Sequence, residues 1–324
     1  MKKAVLASAV VAALVSGSSL AATVYSSDGT ELKIGGRAEA RFNVSDNNES
    51  TSDSSFQDKS RARVNISGKS ELSDGLYGFG KYEAEFTSAS TTEFEDGNGD
   101  TVKIESESLS NRYYYAGLGT KFGEFSYGKQ DSAQVMLTDI TDTMATFGAD
   151  AADAVDGNKD KRENNFLYSG EFDALTVQAN YIAANEKDAD SFGLAAMYNL
   201  GAFDLGAGYV SQKNGNFDDD QINLVAQFSM DAFTVGGLYT MASVADEDYT
   251  GYELSAIFKA TKQLSLIGVY NYGEFDKAAD EEANNFAIEA VYKFNGHIRT
   301  YAGYKFEQLD NKDDQLQAGI RYDF

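Results

Sequence analysis

The chain of 324 residues contains no cysteine, no proline and no tryptophan, and its one histidine is His297. Without cysteine there is neither a disulfide framework nor a thiolate metal site. A single histidine leaves a zinc site or a Ser-His-Asp triad with almost nothing to build on, and no other nucleophile–base set stands out, so an enzyme is disfavoured and no cofactor is implied. The absence of proline speaks against Pro-rich linkers and suits a fold in which most backbone N–H groups are needed for ladders. After the first residues no apolar run approaches the roughly 20 residues a spanning helix needs. Acidic residues outnumber basic ones, 51 to 27, for a net charge of −24; nucleic acid is therefore an unsuitable partner.

What is present begins at the N-terminus. A basic start, MKK, precedes the apolar stretch Ala4 to Val15, with small residues at Ser19 and Ala21. This predicts a signal peptide over 1–21, cut before Ala22, and a single exported domain over 22–324. From Glu31 the sequence alternates: Leu32, Ile34, Ala38, Ala40, Phe42 and Val44 fall on one face, Lys33, Arg37, Glu39, Arg41 and Asn43 on the other. Successive side chains of a strand point to opposite faces, so this ribbon is apolar on one side and charged on the other. The pattern recurs in sixteen segments, near 31–44, 61–72, 75–87, 108–120, 123–129, 162–172, 174–183, 190–200, 202–212, 219–230, 232–242, 249–260, 263–273, 284–294, 297–307 and 313–324. Short connections alternate with longer acidic ones at 45–60, 88–107, 130–161, 184–189, 213–218, 243–248, 274–283 and 308–312.

An even number of amphipathic strands with short turns at one end and long loops at the other predicts an all-β fold, a 16-stranded antiparallel transmembrane β-barrel. With no tryptophan, the 20 tyrosines and 21 phenylalanines must supply the aromatic girdles at both membrane interfaces. In "NRYYYAGLG", simple alternation puts Tyr113, Tyr115 and Gly117 on the face opposite Arg112.

The stretches "ATVYSSDGTELKIGGRAEARF", "ARVNISGKSEL", "NRYYYAGLGTKFGEFSYGK", "KRENNFLYSGEFDALTVQANY" and "TFGAD", with the terminal strand "LQAGIRYDF", resemble the general trimeric porins of the Gram-negative outer membrane. The resemblance implies a homotrimer forming a water-filled channel for passive diffusion of ions and small hydrophilic solutes. It implies contact with outer-membrane lipids and lipopolysaccharide, and recognition of Phe324 by the barrel assembly machinery. It also implies a third loop, 130–161, folded into the lumen. By position it carries over a pore constriction: basic residues Arg37, Arg63, Arg112 and Arg162 on the wall, facing Asp142 and Asp150 of the loop. A proline–acid pair that the family usually has before Phe-Gly is Ala145-Thr146 here, so one loop carboxylate is missing. The loop's seven aspartates against two lysines, with the overall acidity, predict a mild preference for cations. Its apolar residues, Leu137, Ile140, Met144 and Phe147 among them, need something to pack on.

Two other channel or surface functions compete with this reading. A substrate-selective channel would need a run of lumenal aromatics, and Tyr77, Phe79 and Tyr301 read as scattered. A structural or adhesive surface barrel would need no open pore. "DGNGDTVKIESE" has EF-hand-like spacing at Asp96, Asn98, Asp100 and Glu107, but Thr101 replaces the required glycine and no flanking helices are evident, so no metal site is assigned.

Overall fold

The computed structural model describes residues 21–50, 54–95, 101–277, 282–310 and 312–324, and only the backbone of residues 50, 88–95 and 101–107. Residues 1–20 of the expected signal peptide therefore lie outside the described residues, as do Asp96, Asn98 and Asp100. Strands are β1 (Ala22–Ser27), β2 (Thr30–Val44), β3 (Phe56–Asp58), β4 (Arg61–Ser73), β5 (Leu76–Glu95), β6 (Thr101–Thr120), β7 (Gly123–Gln130), β8 (Arg162–Phe172) and β9 (Leu175–Ile182). They continue as β10 (Ser191–Asn199), β11 (Phe203–Asn214), β12 (Phe217–Met230), β13 (Phe233–Val244), β14 (Glu247–Lys259), β15 (Leu264–Phe275), β16 (Ala283–Lys293), β17 (Ile298–Glu307) and β18 (Gln315–Asp323).

Each strand from β4 to β18 pairs antiparallel with the next, and β18 pairs with β2, which pairs with β4. This closes a ring of sixteen strands, with β1 and β3 as short additions to β2. Closure leaves no row of unpaired backbone groups facing lipid, the condition for crossing a membrane with strands. β1 runs in line with β18: Phe324 is hydrogen-bonded to Gly36 in both directions (2.8 and 3.0 Å), and Ala22 lies opposite Ile34.

The outer face is apolar and ringed with aromatics. Several face each other directly across the ladder, Phe203 with Phe228 and Phe233 with Phe258 (both 4.7 Å between centroids) near the short turns, Phe286 with Phe306 (6.2 Å) towards the other end. Such pairs stabilise the register as well as the interface position.

Three features depart from the sequence reading. β5 and β6 continue as a hairpin to Glu95 and from Thr101, where a loop was expected over 88–107. The connections at 213–218 and 243–248 shrink to two-residue turns, Gly215-Asn216 and Ala245-Asp246, with left-handed backbone at Gly215, Ala245 and Asp246. Third, β6 carries a bulge: Glu83 lies opposite Tyr113 and Ala84 opposite Asn111, so Arg112 has no partner of its own. An extra residue shifts the phase of everything after it. Arg112, Tyr113 and Tyr115 all face the lumen as a result, while Tyr114 (42% exposed) and Leu118 (52% exposed) face outward. Strict alternation had placed Tyr113 and Tyr115 on the outside.

The glycines of β6 now have a reason. Gly117 and Gly119 follow Tyr113 and Tyr115 on the inner face, and the rings of Phe79 and Tyr77 from β5 lie across them. A Cβ at Gly117 would meet Phe79 Cζ at 2.7 Å, and one at Gly119 would overlap the Tyr77 ring.

Candidate pore constriction

The connection from Asp131 to Lys161 turns into the barrel and lies on one wall of it. Its backbone amides are received by inward side chains of that wall: Ala133 by Asn180 Oδ1 (2.9 Å), Val155 by Gln221 Oε1 (3.0 Å) and Gly157 by Gln212 Oε1 (2.6 Å). Two buried glutamates hold its middle. Glu253 on β14 accepts from the Thr141 hydroxyl and from Ala151 N–H (2.8 Å). Glu289 on β16 accepts from Ala145 N–H (3.0 Å), Thr146 N–H (2.7 Å) and the Thr146 hydroxyl (2.6 Å).

Between these pins the loop buries its apolar side chains. Met144 and Phe147 pack on Ile257, Ile267, Val269, Ala287, Val291 and Tyr301. Leu137 and Ile140 pack on Ala195, Val225 and Leu238. The apolar loop residues thus meet the wall they need: the inward Ile257, Ile267, Val269, Ala287 and Val291 of β14–β16 are covered by the loop.

The opposite wall, β2 to β6, stays free and is charged. Arg37 and Arg63 sit directly opposite each other on β2 and β4, an arrangement that like charges alone would oppose. Carboxylates from the neighbouring strands interleave with them. Arg61 Nε bonds Glu39, and Arg63 Nε bonds Glu85. Arg63 also reaches Glu83 at 3.8 Å. Arg112 Nε donates to Glu83 Oε1 at 2.8 Å, with its other arm 3.7 Å from Glu85. Four guanidiniums, including Arg37 at 3.9 Å from Glu39, thus face three carboxylates along one ladder of side chains.

Between wall and loop lies a passage of about 280 Å³. Arg37, Arg63 and Arg112 line it on the wall side, Asp139 and Asp142 on the loop side. The carboxyl of Asp142 is pushed up to about 6, chiefly by partial burial and secondarily by Asp153 and Asp150, although Ala149 N–H bonds its charged form. Among the described residues, Asp139 and Asp142 are joined by no ion pair.

The structure thus brings together four of the six residues expected at the constriction and leaves two apart. Asp150 lies further along the loop, 3.2 Å from Asn285 Nδ2 and 3.5 Å from Lys305 Nζ. Arg162 lies opposite Gln130 in the β7–β8 ladder, and its charge acts on Asp156. The residue before it, Lys161, has left-handed backbone (φ 54°) and stands near the arginines instead: burial, and then the Arg112 charge, lower its ammonium to about 8. Lys161, Glu83, Glu85, Glu253 and Glu289 were not singled out from sequence. The last two carry a readable mark, an isolated acid among small and apolar residues on one strand face: Gly251, Glu253, Ser255 and Ile257; Ala287, Glu289 and Val291.

A closed barrel with an apolar, aromatic-ringed exterior and a lumen narrowed by its own loop is the architecture of a channel of the outer membrane. Comparison with known proteins agrees. A family model described as Gram-negative porin matches residues 7–314. The chain is 37% identical over 356 residues to outer membrane protein U of Vibrio parahaemolyticus and 36% identical over 362 residues to porin-like protein L of Photobacterium profundum, each alignment covering all of both chains. Among solved structures, Salmonella typhi OmpF in complex with daunomycin matches with a TM-score of 0.77, covering 94% of this chain and 100% of that one at 19% identity. The trimer form of in-vitro folded OmpT of Vibrio cholerae matches at 0.69, covering 92% and 100% at 17% identity. These structural likenesses concern the fold. The chain belongs to the Gram-negative porin family, and is an outer-membrane porin channel.

Proposed function

We propose that this porin is a mildly cation-selective channel, and that Arg37, Arg63, Arg112 and Asp142 form its constriction. One observation carries the reading: the wall arginines are answered at close range by Glu39, Glu83 and Glu85, whereas Asp139 and Asp142 across the passage make no ion pair among the described residues, the Lys161 ammonium acting on both only at longer range. The wall's positive charge is therefore largely neutralised locally, and the loop's carboxylates dominate the field a permeating ion meets. Asp150 and Arg162 belong to the surroundings of that field. In a KCl gradient the reversal potential should have the sign of cation preference, and the preference should shrink at high salt as screening sets in. Anion selectivity would refute it.

The assembly we propose is a homotrimer packed through β2, β4 and β18, with removal of residues 1–21. Ala38, Ala40 and Ala62 leave a shallow outward groove there, edged by Phe86, Ile320 and Tyr322. Such a surface fills poorly with lipid and well with a neighbouring barrel. A protein of similar fold, OmpT of Vibrio cholerae, has a solved trimer form. Cleavage before Ala22 would place the new amino group in line with Phe324. The same terminal strand is our proposed contact for the assembly machinery; lipids and lipopolysaccharide would surround the rest.

A further inference from the structure

Below the constriction, at the short-turn mouth of the barrel, the inner wall of β14, β16, β17 and β18 carries basic residues whose charges are left unbalanced. We propose that this patch is a binding site for a doubly charged phosphoryl group, that of free phosphate or of a small phosphate ester. It meets the passage beside the third loop only at Arg321 and Asp323.

Strand register makes the patch. Lys293, the last residue of β16, lies directly opposite Arg299 on β17, and Arg299 lies directly opposite Arg321 on β18. All three point inward, since their neighbours Tyr292 and Tyr322 are exposed on the outer face and Arg321 is buried. Lys259, at the end of β14, joins them: its charge and those of both arginines act on the Lys293 ammonium. Residues directly opposite in an antiparallel pair stand about 4.5–5.5 Å apart, and like charges in that position repel. Two such pairs in succession weigh against the folded mouth unless an anion lies among them.

One carboxylate answers these four cations. Asp323 accepts from Arg299 at 3.2 Å and from Arg321 Nε at 2.7 Å. Among the described residues that is the only side-chain hydrogen bond of Arg299, and Lys259 and Lys293 form no ion pair. Asp323 is oversubscribed, because Arg37 lies directly opposite it on β2 with its Nε buried and unbonded. Glu39, which also acts on Arg299, is already bound to Arg61 and Tyr301, and the terminal carboxyl group of Phe324 is tied to Gly36 N–H (2.8 Å). The upper wall differs: there four guanidiniums face three carboxylates. A phosphoryl dianion suits the lower patch. Its oxygens can take a guanidinium fork and an ammonium from adjacent strands at once, and its two charges offset two of the three that Asp323 leaves over. A singly charged anion would offset only one, and a neutral solute none. The loop carboxylates above oppose its further passage, so the dianion is retained at this mouth.

The full-length porin in a maltoside detergent, which carries no phosphorus, can be titrated with inorganic phosphate at about pH 8, where the phosphate is a dianion. Phosphorus NMR line width then reports binding whether or not the pores conduct, and glycerol phosphate serves as the ester. Lys293→Gln should weaken phosphate binding about thirtyfold, the weight of one charge against two at contact in a watery site. Lys259→Gln should weaken it less. Lys121→Gln, on the exposed turn between β6 and β7 at the same end of the barrel, should leave it unchanged. In planar bilayers, phosphate added on the short-turn side should strengthen cation preference in the native channel and not in Lys293→Gln. Broadening of inorganic phosphate alone would name free phosphate as the ligand; broadening of both probes would admit esters. No broadening of either, or equal weakening by Lys293→Gln and Lys121→Gln, would overturn the proposal. Phosphate binding to a channel that proves anion-selective in KCl would uphold this site and refute only the cation preference.

Discussion

The third loop is held by few groups, and removing one should widen the pore without unfolding the barrel. Glu289→Gln is the sharpest perturbation, since it keeps the side chain's volume and removes its charge. The native carboxylate accepts three hydrogen bonds from Ala145 and Thr146 in a site where Glu289 is 3% exposed. The two Thr146 bonds end on one oxygen, Oε2, and the Ala145 bond on the other, so an amide with its oxygen in the Oε2 place keeps both Thr146 bonds and turns its NH₂ towards the Ala145 N–H. Hydrogen bonds to a charged group contribute about 1.5–3 kcal/mol each. Losing one of them, and the charge from the other two, leaves about 2–3 kcal/mol. That is a shift of roughly thirtyfold to a hundredfold in the local opening equilibrium. Opening should be confined to the stretch around 143–149, because Glu253 still holds Thr141 and Ala151. Barrel melting should not move, since no strand pairing depends on Glu289's carboxylate. Single-channel recording should show larger current fluctuations, and liposome swelling should admit larger sugars. Wild-type noise and an unchanged size cutoff in a folded Glu289→Gln barrel would refute the idea that this carboxylate holds the loop.

Arg112→Ser should strengthen cation preference a few-fold, since one positive charge leaves the passage while Glu83 and Glu85 keep Arg63 as a partner; unchanged reversal potentials would remove Arg112 from the constriction. For pH, burial pushes the Asp139 carboxyl up to about 7 and the Asp142 carboxyl up to about 6; each is ionised above its value and neutral below it, so wild-type cation preference should fall as pH drops from 8 to 5, and Asp142→Asn should flatten the lower part of that curve while Asp139→Asn flattens the upper. Gly117→Ala should destabilise the barrel by about 1–3 kcal/mol through overpacking against Phe79 and the β7 backbone, seen as a lower melting temperature, and a neutral result would mean the Phe79 ring is loosely packed.

Period-two alternation made the strands readable, because each spans an apolar and a polar medium and must sort its residues between them. The register across strands was not readable in the same way. That Arg61 meets Glu39 and Arg63 meets Glu85 depends on which residues lie side by side, which a single sequence does not state. The bulge at Arg112 shows the other limit. One unpaired residue reverses the phase, so Arg112 was placed inward correctly while Tyr113 and Tyr115 were assigned to the wrong face. The substitution of Lys161 for Arg162 near the wall has the same origin, a backbone irregularity at Lys161 and Asn164 (φ 54° and 52°) that alternation cannot anticipate.

The inner wall of this barrel is of two kinds, and the difference explains where the pore runs. On β2, β4 and β5 the inward positions carry Arg37, Glu39, Arg61, Arg63, Glu83 and Glu85, groups that water or an opposite charge must solvate. On β14 to β16 they carry Ile257, Ile267, Val269, Ala287 and Val291, which water would not favour. An apolar inner wall left bare would expose a sizeable patch to the lumen, so the loop's own apolar residues settle there. The free passage is displaced to the charged side. The two glutamates among the apolar positions then acquire a purpose: a loop backbone laid on a greasy wall has N–H groups with no acceptor, and Glu253 and Glu289 supply one. Inward apolar residues on β14 to β16, with Glu253 and Glu289 set among them, therefore mark the docking wall of the loop, and strands whose inward face is charged mark the wall past which solutes move.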